Sequence, residues 1–310
     1  MLQYTLRLPL FMASQPPTID PIAAGRWHKL PHGPSAWLHE EIASRMADRL
    51  QWIKLQPQAV AHWEPVLGGL KAHSLLTRQY PQARQFWLGS NPEPLKAAKE
   101  SLQGPWWKPG RWTAQPAVLE KPPGQLVQMV WANMALHMAV HPQELIQIWH
   151  DQLAVGGFLM FSCLGPDTLA SLRALYAKLG WPPPAHEFTD MHDWGDMLVA
   201  SGFAEPVMDM ERITLTYATP TSLLADLRGL GRNLHHQRFG ALRARHWHQQ
   251  LTDALKHNLA DPADSGRIPL SFEVIYGHAL KPAKRLAVRP EIALSLDDMR
   301  QVLRSGKARP

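Results

Sequence analysis

The run Phe158-Leu159-Met160-Phe161-Ser162 carries almost no polar residue, and a turn, Ala154-Val155-Gly156-Gly157, precedes it. A strand this apolar must be covered on both faces, which is the environment of a parallel or mixed sheet between two helical layers. The rest of the chain supports that frame. Short strand-like segments at Val60–Trp63, Phe86–Leu88 and Leu126–Ala132 alternate with helical patterns. The helical patterns cover Trp37–Lys54, Gly69–Arg78, Pro94–Leu102, Pro142–Leu153, Asp167–Leu179 and His192–Ser201. Ser35 is placed to cap the first of these, and Gly202 to close the last. Two alternating segments, Pro206–Tyr217 and Pro269–Leu280, predict neighbouring strands. Between them Pro220–Ala260 reads as helical, interrupted at Gly229-Leu230-Gly231. The fold class is therefore α/β, a mostly parallel sheet covered on both sides with a helical insertion before the last strand.

Residues 1–35 are rich in proline and glycine and are expected to be irregular. Residues 104–124 read as a loop anchored by Trp106, Trp107 and Trp112, and a polar tail follows Pro282. No repeat is visible. The opening residues show no basic region or small-residue cleavage site, so no signal peptide is expected. No run reaches membrane-spanning length. The only cysteine, Cys163, excludes an internal disulfide and a cysteine zinc cluster, and suits the cytoplasm.

A net charge of +6 over 310 residues forms no dense basic run, so a nucleic-acid role is not expected. The nearest approach to a patch is Arg243 and Arg245 with His246 and His248, either a solvated helix face or a surface for an acidic partner. The chain has 16 histidines. The spacing of His186, His192, His235, His236, His246 and His248 matches no metal site, and no metal is expected.

A sheet of this kind that binds a nucleotide follows its first strand with closely spaced glycines. Here that stretch reads His62-Trp63-Glu64-Pro65-Val66-Leu67-Gly68-Gly69, with the glycines late.

Further on, several stretches carry a family resemblance: Asn133-Met134-Ala135-Leu136-His137, Val155–Ser162, Gly165-Pro166-Asp167-Thr168-Leu169, Phe188–Asp196, Gly202–Asp209, Leu215-Thr216-Tyr217, Leu224–Gly231 and Phe272–Ala279. Together they resemble class I S-adenosylmethionine-dependent methyltransferases. More narrowly they are similar to the malonyl-acyl-carrier-protein O-methyltransferases of biotin synthesis. The likeness runs from about 36 to 282 and is most specific from 130 onward. It implies a Rossmann-like three-layer sandwich, with a seven-stranded sheet, an antiparallel last strand and a helical cap at about 220–263. It also implies three segments: an irregular stretch 1–35, the domain 36–282 and a tail 283–310. The implied reaction methylates the free carboxylate of a malonyl thioester on acyl carrier protein, with S-adenosylmethionine as cofactor. Such a transfer needs alignment and desolvation more than a general base.

Laid on the family pattern, the acidic residue that ends the first strand falls on His62. The three glycines of its Gly-x-Gly-x-Gly loop fall on Glu64, Val66 and Gly68, so only the third is kept. Pro65 is expected to bias Glu64 toward extended backbone, with its bulk where the cofactor's amino-acid part should pass. The carboxylate that meets the ribose hydroxyls falls on Gly89, with Ser90 and Asn91 as neutral substitutes. A Tyr-Asp pair of the N-terminal lid falls on His32 and Gly33, and the acidic residue of the fourth-strand motif on Gln128, a mainly structural position. The cofactor-side candidates are therefore Glu64, Gly68, Ser90 and Asn91. On the acceptor side, the candidates are Asn133, His137, Tyr217 and Arg228, with lesser candidates in Asp167 and Tyr276. Asn133 and Asp167 also fit capping roles. Two readings stay open: a methyltransferase that binds its cofactor in an altered loop, and a non-catalytic relative kept as a binding or regulatory partner. Oligomeric state is left undecided.

Overall fold

A computed structural model of the chain describes residues 19–30, 35–103, 118–241 and 243–283. His32, Gly33, the three tryptophans of the 104–117 stretch and the tail from 284 lie outside the described residues.

The helices are α1 (Pro21–Lys29), α2 (Trp37–Arg49), α3 (Pro65–Gly68), α4 (Lys71–Gln79) and α5 (Pro92–Gln103), then α6 (Pro142–Gln152), α7 (Ala170–Lys178), α8 (Met191–Ala200), α9 (Pro220–Leu230) and α10 (Arg245–Leu259). The strands are β1 (Ala59–Trp63), β2 (Arg84–Leu88), β3 (Val118–Leu119), β4 (Val127–Ala132), β5 (Leu153–Leu164), β6 (Ala204–Tyr217) and β7 (Ile268–Leu280). Their order across the sheet is β3-β2-β1-β4-β5-β7-β6. Strands β1, β2, β4 and β5 pair in parallel, with the two-residue β3 at the edge. β7 slots antiparallel between β5 and β6. The chain runs outward from β1 and then returns to lay β4 on its other side. The crevice between the C-terminal ends of β1 and β4 is thus the switch point where such sheets bind ligands.

Strand periodicity explains the layers, because successive side chains point to opposite faces. Val60, Met129, Trp131, Phe158 and Met160 pack under α2 and α4. Ala61, Val130, Ala132, Leu159 and Phe161 pack on the other face with Ile146, Trp149, Trp194 and Leu198 of α6 and α8. α9 and α10 join the first core through Leu223, Leu251 and Leu255.

Four local features depart from the sequence expectations. Pro21–Lys29 is helical where irregular chain is expected, because Asp20 accepts hydrogen bonds from Ile22 N at 2.8 Å and Ala23 N at 3.2 Å and so caps α1. α2 is capped at Ala36 without a side-chain bond, since the Ser35 hydroxyl donates to Glu40 instead. The Ala154–Gly157 turn is absorbed into β5, where the register against β4 jumps and Gly156 N bonds Lys281 O at 2.8 Å. The helical pattern of Pro220–Ala260 divides into α9 and α10, with residues 231–244 between them.

Leu159 is fully buried at the centre of β5, whereas Val155 is 64% exposed near its start. Leu159→Ala is expected to lower unfolding free energy by about 2–5 kcal/mol in urea titrations. Val155→Ala should change it by under about 0.5 kcal/mol.

Candidate active site

The loop that leaves β1 is held from three sides. Glu64 N donates to Leu88 O of β2 at 2.7 Å, and Glu64 O accepts from Leu67 N and Gly68 N at 3.1 and 2.9 Å. Those bonds turn the chain into α3 and place Glu64 in the left-handed region, at φ 47° and ψ 51°. The extended geometry expected from Pro65 does not occur: Pro65 opens a helical turn, and its neighbour reverses the chain to enter it. From α2, the buried Glu40 accepts from Leu70 N and Lys71 N at 3.0 and 3.1 Å, completing the start of α4. His39 donates from Nδ1 to Leu67 O at 2.8 Å.

The third hold is Asn133. Fully buried at the end of β4, it donates from Nδ2 to His39 O at 2.8 Å and to Gly68 O, and accepts from Ser162 Oγ at 2.6 Å. Its side chain is spent on positioning the loop. Gly68 is needed for this approach, because a Cβ there would stand 2.4 Å from Asn133 O.

A cavity of about 320 Å³ opens at the β1–β4 switch point, within the range of small-ligand sites. Trp63, Glu64, Ser90, Asn133 and Met134 line it on the sheet side. Trp27 of α1, His39 of α2 and Arg228 of α9 close it from above. A second cavity of about 300 Å³ adjoins it. It is lined mainly by apolar side chains, among them Leu172, Phe188, Leu227 and Trp247, together with His137 and His186. Met138, Arg228, Leu230 and Arg232 line both cavities and mark their junction. Among the described residues, neither Arg228 nor Arg232 forms an ion pair. Arg232 donates to Arg228 O and lies 5.1 Å from the Trp27 ring. Burial, and next the Arg228 charge, lowers its pKa.

The predicted residues divide accordingly. Glu64, Ser90 and Asn133 line the first cavity, His137 the second, and Arg228 both. Gly68 supports the first cavity from behind. Asn91 is absent from both linings, because its Oδ1 accepts from Glu93 N at 3.2 Å in the first turn of α5. Tyr217 packs in the core against α9, where burial and the Asp226 carboxylate raise its pKa. Tyr276 lies on a different groove, stacked under Arg49 at 3.7 Å, with its hydroxyl donating to Glu211. Asp167 does not cap a helix, since it pairs with Arg212 at 2.7 Å and α7 begins later, at Ala170. Gln128 accepts from Ala59 N at 2.8 Å and bridges β1 to β4, a structural role as expected. Val66, at the second glycine position, packs on Trp87 and Leu95. Sequence reasoning missed His39, Trp27 and Arg232. Only Arg232, one helical turn beyond Arg228, left a signal.

The buried histidines of this region are neutral. Burial pushes His62 down to about 3 and His186 to about 4, and holds His137 well below its ordinary value. His186 donates from Nε2 to His137 O at 3.1 Å, while both ring nitrogens of His62 lack a described partner.

A methyltransferase-like α/β fold with a switch-point cavity is what these features define. Solved structures agree on the fold. A methyltransferase from Bacillus halodurans aligns with TM-score 0.52 at 16% identity, over 77% of this chain and 100% of its own. The YcgJ protein of Bacillus subtilis aligns with TM-score 0.51 at 12% identity, over 78% and 99%. Sequence relatives narrow the class. The malonyl-[acyl-carrier protein] O-methyltransferase of Laribacter hongkongensis is 38% identical, over 81% of this chain and 85% of its own. That of Gallionella capsiferriformans is 37% identical, over 81% and 87%. No protein-family profile matches the chain. The chain belongs to the malonyl-[acyl-carrier protein] O-methyltransferase family.

The neutral histidines set a pH dependence. Above about pH 6.5 the His62 ring is neutral in both folded and unfolded chains. As pH falls below that value, the unfolded ring takes up a proton that the folded one refuses down to about pH 3. Stability should therefore fall by about 2 kcal/mol between pH 6.5 and 5 from His62 alone, with His186 acting in the same direction. Urea titrations at pH 7 and 5 should show this loss, and His62→Leu should make it smaller.

Proposed function

We propose that the protein transfers a methyl group from S-adenosylmethionine to the free carboxylate of a malonyl thioester on acyl carrier protein, the step in biotin synthesis that its family resemblance implies. The observation that carries the proposal is the meeting of two cavities at Arg228 and Arg232, both without an ion-pair partner among the described residues. One cavity has the place and size for a nucleoside cofactor. The other suits a thioester arm, and the junction presents two cations to an acid.

The first cavity fits S-adenosylmethionine on its own chemistry. Glu64 and Ser90 give it a polar rim, and Trp63, Val66 and Leu67 an apolar floor. S-adenosylmethionine supplies an electrophilic methyl on a sulfonium. Arg228 and Arg232 hold the acceptor carboxylate at the junction and limit its rotation. That carboxylate is already ionised at neutral pH, so no side chain must remove a proton. α1 and α9 both contribute to the lining at the junction. α1 is tied to the chain after α9 by an Asp20–Arg238 ion pair, and the hydrogen bond from Arg238 holds Asp20 below its usual pKa.

In this reading α9, α10 and the chain between them are the helical cap, and Val118–Leu119 is the seventh strand of the family sheet. Residues 36–282 form the domain, flanked by 1–35 and 283–310. No described helix is long and apolar enough to cross a membrane.

S-adenosylmethionine at about 100 times its dissociation constant is expected to stabilise the protein by roughly 2.7 kcal/mol, read as a rise in melting temperature. Labelled methyl should then pass to malonyl–acyl carrier protein. No stabilisation at millimolar cofactor would reject the reading and favour the non-catalytic alternative. Arg228→Ala and Arg232→Ala should each raise the acceptor KM about tenfold or more, read in steady-state assays at saturating cofactor.

The carrier protein approaches over the N-terminal end of α10. Trp247 and His248 line the second cavity there, and Arg243 stacks on Trp247 at 3.7 Å. The exposed Arg245 is beside them. Charge reversal at Arg243 and Arg245 should weaken binding of an acidic carrier. Equal carrier affinity in the doubly reversed protein would exclude this face.

A further inference from the structure

Two departures from the family pattern meet in space. The end of β2 holds Gly89 where the resemblance places a carboxylate, and the β1 loop holds Glu64 where it places a glycine. Glu64 Oε1 accepts from Ser90 N at 2.5 Å. Glu64 Oε2 lies 2.8 Å from the point where a Cβ on residue 89 would stand, so its carboxylate occupies the space a side chain at 89 would enter. Neither a larger residue at 89 nor a second carboxylate beside this one is compatible with the arrangement.

We propose that Glu64 is the acceptor for the ribose hydroxyls of the bound nucleoside, a carboxylate delivered from the β1 loop in place of the one missing from β2. The inference rests on the reading that the switch-point cavity binds S-adenosylmethionine. The left-handed backbone at residue 64 carries the Glu64 side chain across to the end of β2 while the residue still lines the cavity. The carboxylate keeps room for further donors, since Ser90 N uses one site on Oε1 and Oε2 accepts no hydrogen bond from a described residue. A vicinal diol offers two O–H donors in a pair, and an ionised carboxylate accepts such a pair more strongly than the neutral Ser90 or Asn91.

The test is binding, not turnover. Calorimetric titration compares S-adenosylhomocysteine with its 2′-deoxy analogue on the full-length wild type, Glu64→Gln, Gly89→Asp and the double substitution Glu64→Gly/Gly89→Asp. The wild type should prefer the ribose form by about tenfold or more, and Glu64→Gln should lose that preference to within about threefold. Gly89→Asp alone, forced against Glu64, should bind weakly. The double substitution returns the carboxylate to β2, and should bind at least tenfold more tightly than Gly89→Asp and regain the ribose preference. Glu64→Gln weakening both ligands equally, or neither, would overturn the assignment and leave Glu64 a turn cap. A double substitution no tighter than Gly89→Asp would overturn it as well, and is informative even if Glu64→Gln folds poorly. A wild type that binds neither ligand would instead overturn the cofactor reading beneath it.

Discussion

One buried amide holds the site together. Asn133 binds His39 O on α2, Gly68 O on the β1 loop and Ser162 Oγ on β5, and so ties three elements to the end of β4. Ser162 Oγ also accepts from Met134 N at 3.1 Å, so the group is close to fully satisfied. Inside a core, a network of this kind is rigid because each broken bond leaves a polar atom with no water to replace its partner. Each such loss costs about 1–3 kcal/mol, comparable to a sizeable share of a domain's net stability. The crevice therefore keeps its shape through its walls. Glu40 and His39 extend the same clamp along α2 to Leu67, Leu70 and Lys71.

On this fixed floor the covering parts are attached differently. α1 and the chain after α9 meet through Asp20, Leu234 and Arg238, where Asp20 N donates to Leu234 O at 2.8 Å. These contacts lie near the surface, unlike those of Asn133. A small cluster of Ile19, Ala24, Trp27 and Leu234 supplies their apolar backing. The division is physically sensible for a site that must admit two substrates. The buried network fixes the shape of the crevice, and the covering side is held by fewer polar contacts. Arg228 and Arg232 lie on this covering side, at the junction of the two cavities.

The sheet was legible in the sequence because burial on both faces leaves a plain mark: an unbroken apolar strand at Phe158–Phe161 and alternation in β6 and β7. Helix ends were less so. Asp20 capped a helix in a segment whose prolines suggested none, and Ser35 turned its hydroxyl to Glu40. These outcomes depend on which acceptor lies nearest in three dimensions. The acceptor side was legible only as residue types. Arg228 and His137 line the cavities, while Tyr217 and Tyr276 belong to packing, and nothing in linear spacing separates the two cases. His39 left no signal because its role comes from a loop 28 residues away.

The β1 loop departs from the glycine pattern of the family resemblance at two of three positions, and its backbone shows what each position does here. The first glycine position requires a left-handed residue, and Glu64 adopts that conformation. At the second, Val66 packs against Trp87 and Leu95 and also lines the cavity. The third requires close approach of backbone to β4, and there the glycine is kept because Asn133 O leaves no room for a Cβ. Only the first of these adjustments carries a conformational cost of about 1–2 kcal/mol. The clamp of Asn133, His39 and Glu40 supplies several buried hydrogen bonds against it, each contributing about 0.5–1.5 kcal/mol net. The balance favours the strained turn. In this chain the backbone of the β1 loop is held by side chains from α2 and by Asn133 after β4.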